Sequence, residues 1–82
     1  MSIELNRISQ LVAAEIRAEL GRQEKSINDL SEAIGIPIST VRRSVKGYRA
    51  MNIDELSCTA SFLNLSLVEL IKRARERELA VA

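Results

Sequence analysis

The sequence predicts an all-α domain of five short helices. Apolar residues recur at steps of three and four along most of the chain, the spacing of one helix face. Ser, Asn, Gly and Pro fall between these periodic segments, where helices start and stop. No segment alternates with the period of two that marks a strand. At 82 residues the chain reads as one domain, 1–82, without repeats, linkers or low-complexity stretches. That length is small but sufficient for a core without staples.

In the first helix, about 4 to 20, Leu5, Ile8, Val12, Ile16 and Leu20 share one face, and Gly21 is the expected stop. Ser26 is a good N-cap for the second helix, with Asp29 in its first turn. Ile27, Leu30, Ala33 and Ile34 form the short second helix, and Gly35 turns the corner. Pro37 fits the first turn of the third helix, which runs to about Lys46 and ends at Gly47. Asn52 caps the fourth helix, with Asp54 and Glu55 in its first turn and Ile53, Leu56, Ala60 and Leu63 as its buried stripe. Asn64 is the expected left-handed stop. Ser66 caps the fifth, about 67–79, with Leu67, Leu70, Ile71 and Ala74 inward. Glu69 and Arg73 form a favourable pair four residues apart.

Composition excludes several classes. One Cys and no His leave neither a disulfide framework nor a Cys/His zinc site, and a lone thiol suits a reducing cytoplasm. No run approaches the length of a membrane span, and the N-terminus lacks the pattern of a signal peptide. No catalytic constellation or phosphate-cradling glycine loop is present, so an enzyme is the least favoured class. No metal, cofactor or small-molecule ligand is expected.

Net charge is only +1, yet no acid occurs between Glu32 and Asp54, where Arg42, Arg43, Lys46 and Arg49 lie. On a wheel of about 100° per residue, Val41, Ser44 and Tyr48 fall on one side of the third helix. Ser39, Arg42, Arg43 and Lys46 fall on the other, with Ile38 and Val45 between. The first side is suited to packing, Tyr48 as a packed ring with its hydroxyl at the surface. The second is an acid-free cationic face of the width that enters a DNA major groove.

A short helix, a Gly turn and a second short helix, about 26–47, form a helix-turn-helix pattern. From about Leu11 to Leu70 the chain resembles the Cro and lambda-repressor-like helix-turn-helix family. The resemblance is carried by Leu30-Ser31, Gly35-Ile36, Ser39-Thr40-Val41, Gly47, Ala60, Leu63, Leu65-Ser66-Leu67 and Leu70. The chain departs from the family at Ile27, at Pro37-Ile38 and at Ser44-Val45. The resemblance implies a lambda-repressor-like five-helix fold and base contacts from the exposed start and middle of the third helix, here Ile38, Ser39, Arg42 and Arg43. Arg suits guanine through its two-pronged donor set, and Ile38 suits a thymine methyl. Thr40, Lys46, Tyr48 and Arg49 are candidates for backbone phosphates.

Phe62 lies off the buried stripe of the fourth helix, with Cys58 one turn back. Either a neighbouring helix covers them, or they form, with Leu65 and Val68, an apolar patch for a homodimer. Leu79 and Val81 offer a further dimer contact. The favoured function is a cytoplasmic, bacterial or phage transcriptional regulator, a Cro-like repressor binding double-stranded DNA as a dimer on a pseudo-palindromic operator. Alternatives are an antitoxin, an excision or architectural DNA-binding factor, or a helical protein-interaction module that has lost DNA binding.

Overall fold

A computed structural model describes residues 7–81, with side chains to 79. Its elements are α1 (Arg7–Arg22), α2 (Ile27–Ile34), α3 (Ile38–Val45), α4 (Ile53–Phe62) and α5 (Leu67–Val81), with no strand among the described residues. Leu5 lies outside the described residues. Helix α1 packs along α5 and against α3; α2 packs against α3 and α4, and α4 against α5. The core they enclose is built from Val12, Ile16, Leu20, Leu30, Val41, Val45, Ala60, Leu63, Leu70 and Ala74.

The helix starts follow the local chemistry. Ser26 Oγ accepts the Asp29 amide while the Asp29 carboxylate accepts the Ser26 amide, both at 3.0 Å. Those bonds hold the Asp29 carboxyl below its ordinary range, the Ser26 backbone amide contributing most. Asn52 and Glu55 repeat the arrangement on α4, and Ser66 Oγ accepts the Glu69 amide on α5. Pro37 stands at the N-cap of α3 rather than inside its first turn.

The first helix does not stop at Gly21. It continues to Arg22, and the left-handed residue is Glu24, at φ 55°. The Lys25 amide donates to Leu20 O and the Glu24 amide to Gly21 O, a Schellman closure with a glutamate where glycine is usual. Asn64 closes α4 in the same way, at φ 60°. The last carbonyls of α4 are taken by the α1–α2 connection. Gln23 Nε2 donates to Leu63 O and Lys25 Nζ to Phe62 O, both at 2.7 Å.

Helices α1 and α5 are also tied by charge. Glu15 and Glu19 on α1 are 4% and 7% exposed, and the pairing explains how carboxylates sit there. Arg77 Nε donates to Glu15 at 2.7 Å, Arg73 to Glu19 at 3.1 Å, and Arg22 to both at 2.7 Å. Gln23 takes the other Glu19 oxygen at 2.9 Å. Hydrogen bonds from Gln23 and Arg22 hold the Glu19 carboxyl below its ordinary range.

One residue of the expected α4 stripe is not inward. Ile53 is 69% exposed, although its periodicity matches Ala60 and Leu63. Periodicity gives a direction, not how far the covering helices extend, and Ile53 begins α4. Ala33 is also exposed, at the outer edge of α2.

Gly21 lies in the last turn of α1, and a Cβ there meets nothing within 4 Å. Gly21→Ala is therefore expected to stabilise the domain by about 0.5–1 kcal/mol, through lower backbone entropy in the unfolded chain. That corresponds to a rise of roughly 2–8 °C in a thermal melt. A fall in Tm contradicts the placement of Gly21 inside α1.

Candidate nucleic-acid interface

The helix-turn-helix is shaped by two short-range devices. Gly35 takes φ 72°, a conformation that a Cβ penalises, and turns the chain between α2 and α3. The Ser31 hydroxyl donates to Ile36 O across the same corner. Helix α3 then seats itself by its apolar side: Val41, Ser44 and Val45 are 1%, 3% and 2% exposed. Val45, on the boundary of the sequence wheel, thus belongs to the core. Arg17 of α1 reaches the end of α3, its Nη1 donating to Val45 O at 2.7 Å. A cation at those carbonyls also suits the helix dipole.

The opposite side of α3 is left outward. Ser39, Arg42, Arg43 and Lys46 are exposed, and Ile38 and Thr40 are half-buried. Arg42, Arg43 and Lys46 make no ion pair among the described residues. By contrast Arg7, Arg22, Arg49, Arg73, Arg75 and Arg77 all have acidic partners. The described helix α3 carries no carboxylate, so the positive charge of this face is not neutralised locally.

Two candidate phosphate residues stand differently from expectation. The Tyr48 ring is not packed but 74% exposed. Gly47, at φ 87°, ends α3, and the Tyr48 amide donates to Arg43 O at 2.9 Å. Beyond that Schellman closure the chain no longer follows the α3 wheel, so Tyr48 leaves the face of Val41 and Ser44. Arg49 is not a free surface cation. Its Nη1 donates to Ser44 Oγ at 2.8 Å, and its Nη2 donates to both Glu55 carboxylate oxygens at 3.1 and 2.9 Å. It ties the buried side of α3 to the start of α4, and helps hold the Glu55 carboxyl below its ordinary range. The sequence signal for this tie is the nearness of Arg49 to Glu55, six residues on.

The residues considered for a dimer patch are divided. Phe62 is half-buried at the edge of the core, with the Lys25 ammonium 4.5 Å from its ring centroid. Leu65 is half-buried on the same core. Phe62 is thus partly covered by neighbouring chain and partly open to the groove described next. Cys58 is exposed and shares with Phe62, Ala33, Ser57 and Ser61 an open groove of about 370 Å³. Val68 is 77% exposed on the outer face of α5, and Leu79 is 75% exposed on that helix. The Val81 side chain lies outside the described residues. No group of three His, Cys, Asp or Glu among the described residues is placed to hold a metal ion. No described helix is long and apolar enough to cross a membrane.

Among solved structures, the chain matches the crystal structure of the clp gene regulator ClgR from Corynebacterium glutamicum with a TM-score of 0.81. The match covers 85% of this chain and 74% of that one, at 14% identity. The five-helix all-α architecture with its helix-turn-helix is therefore a fold shared with a regulator. No protein-family model matches the chain, and no curated protein does.

Arg49→Ala is expected to lower stability by about 1–2 kcal/mol, since it removes charged hydrogen bonds from a partly buried pair. The pair also makes stability depend on pH. Glu55 has a lowered pKa in the folded chain, so its contribution is complete above the ordinary glutamate value of about 4.3. It is lost as pH falls through the lower folded value. Thermal melts between neutral and acid pH should show a smaller acid-side loss in Arg49→Ala than in wild type. Equal loss in both proteins removes the assigned role of the pair.

Proposed function

We propose that this chain is a sequence-specific double-stranded DNA-binding transcriptional regulator of the Cro and lambda-repressor-like kind. One observation carries the reading: the outward face of a helix-turn-helix second helix and its C-cap hold Arg42, Arg43 and Lys46 without acidic partners among the described residues. The fold likeness to a protein described as a clp gene regulator supports it. In this reading α3 enters the major groove. Ile38, Ser39, Arg42 and Arg43 read base edges, while Lys46, Thr40 and the exposed Tyr48 hydroxyl meet phosphates. Arg49 acts mainly by holding the α3–α4 connection, with any phosphate contact secondary.

One domain of this size spans about half an operator, so two copies bind a pseudo-palindrome, and repression follows from occupancy that excludes polymerase. The protein then works in the cytoplasm of a bacterium or a phage-infected host, without cofactor, small-molecule ligand or enzymatic activity. An antitoxin or excision-factor role uses the same face. A protein-interaction module that has lost DNA binding is disfavoured by the unpaired cations.

The test is titration of duplexes by anisotropy at several salt concentrations, beginning with the DNA upstream of the gene. Affinity should fall steeply with salt, with a log–log slope of several, as each neutralised phosphate releases counterions. Arg43→Ala should lose about 1–3 kcal/mol per half-site and relax preference at one base pair, with little effect on a scrambled duplex. A slope near zero on the best duplex removes DNA binding. A uniform loss across duplexes reassigns Arg43 to phosphate.

A further inference from the structure

The leading end of α3 has no polar side chain before Ser39. Pro37, its N-cap residue, is exposed, and Ile38 follows it half-buried. Neither side chain can donate or accept a hydrogen bond, and Pro37 has no amide hydrogen. Ile34 and Ile36, just before them, are half-buried because they pack against the core. Ile38 has no part in that packing, so the core supplies no reason for an aliphatic residue there. Both residues are also fixed. Pro37 stands at φ −52° and ψ 140°, and its carbonyl accepts the Thr40 and Val41 amides at 3.0 and 3.1 Å. The Ser31 hydroxyl holds Ile36 O just before it. Ile38 is β-branched, and a helix restricts such a side chain to nearly one rotamer. The apolar edge thus has little freedom left to lose on binding.

We infer that Ile38, backed by Pro37, reads the C5-methyl group of a pyrimidine, so that at one position the half-site is specific for a 5-methylpyrimidine, thymine or 5-methylcytosine alike, and not for one base pair. The inference rests on the DNA-binding reading above and deepens it. Among the four bases, the only alkyl group on a major-groove edge is the thymine methyl, and methylation places the same group on cytosine. An apolar residue set against a donor or acceptor strips water from it and returns no hydrogen bond. Ser39, next on the outward face, both donates and accepts, and so suits either kind of edge without choosing. Arg42 and Arg43 choose guanine. Ile38 precedes Arg42 by four residues. That is about 6 Å along the helix axis, against about 3.4 Å between stacked base pairs. The methyl group therefore belongs about one or two pairs from the guanine that Arg42 meets.

Synthetic duplexes test this without altering the protein. The probe is the duplex that wild type binds best after selection from a random-sequence pool. Each thymine in turn is replaced by deoxyuridine, which removes only the methyl group. One position per half-site should lose about fourfold in affinity, the effect of leaving one methyl group unburied, and the other thymines little. With deoxycytidine opposite deoxyguanosine at that position the loss should remain, and 5-methyldeoxycytidine should regain about fourfold over deoxycytidine. Ile38→Ala completes the cycle: in this variant thymine and uracil should bind alike, and so should cytosine and 5-methylcytosine. Anisotropy titrations at one salt concentration supply the affinities, and thermal melts check the fold of the variant. The cycle compares duplexes on the same protein, so a less stable variant does not imitate the result. A change of DNA shape does not either, since both proteins feel it. Where Ile38→Ala binds too weakly to titrate, Ile38→Val, one methylene smaller, takes its place and should reduce the discrimination. Discrimination that persists undiminished in the variant overturns the inference, and so does a selected duplex without a uracil-sensitive position. In both cases a duplex is still bound and the DNA-binding reading stands. A pool that yields no bound duplex removes that reading, and this inference with it.

Discussion

Glu15 and Glu19, on the inner side of α1, decide where positive charge appears on this molecule. They bind Arg22 of α1 and Arg73 and Arg77 of α5, and so fix α5 along α1. Glu55 takes Arg49, and Glu78 takes Arg7 and Arg75. A net charge of +1 thus combines the +3 of Arg42, Arg43 and Lys46 with a −2 over the rest of the chain. The field that a polyanion meets depends on that arrangement rather than on the total. The buried carboxylates are tolerable because the network satisfies them: no buried side-chain nitrogen or oxygen among the described residues lacks a partner.

The same bonding gives α3 its rigidity. An eight-residue helix has little stability alone, and tertiary packing must supply it. Val41, Ser44 and Val45 anchor one side, Arg17 holds the last carbonyl, and Arg49 fastens Ser44 to the next helix. Gly47 brings the chain close to α1, where a Cβ would sit 3.8 Å from Ala13 Cβ. The cations on the outer side are consequently presented from a fixed base, the condition for reading geometry rather than merely attracting charge.

Much of this fold was legible because its signals are local. Caps act over three residues, so Ser26, Asn52 and Ser66 announced their helices, and Gly35 its corner. Asn64 stops α4 by the same short-range rule. The α1 terminus was misread because the rule was applied to the residue type: Gly21 fits inside the helix, and Glu24 accepts the left-handed turn that the Lys25 and Glu24 amide bonds impose. Tyr48 was misplaced by carrying a helical wheel past the residue that ends the helix. Ile53 was misplaced because a wheel says nothing about where a covering neighbour stops.

The candidate site divides along the same line. Exposed cations on one side of a short helix are a pattern within eight residues, and the sequence shows them. What holds that helix and its surroundings comes from far away in the chain: Arg17 and Val45, at the end of α3, are separated by 28 positions, and the ties between the surrounding elements, Lys25 to Phe62 and Arg77 to Glu15, by 37 and 62. Phe62 illustrates the cost of missing such contacts. Read on its own helix it is an apolar ring without a partner; in the fold it is capped by a lysine that also binds its carbonyl oxygen. The outward face of α5 is the converse case. Val68, Lys72, Arg75 and Leu79 form a local pattern as regular as the core stripes, yet the folded chain leaves them uncovered. A helical periodicity that the domain does not use for its own core looks, in the sequence, the same as one that it does; only the fold tells the two apart.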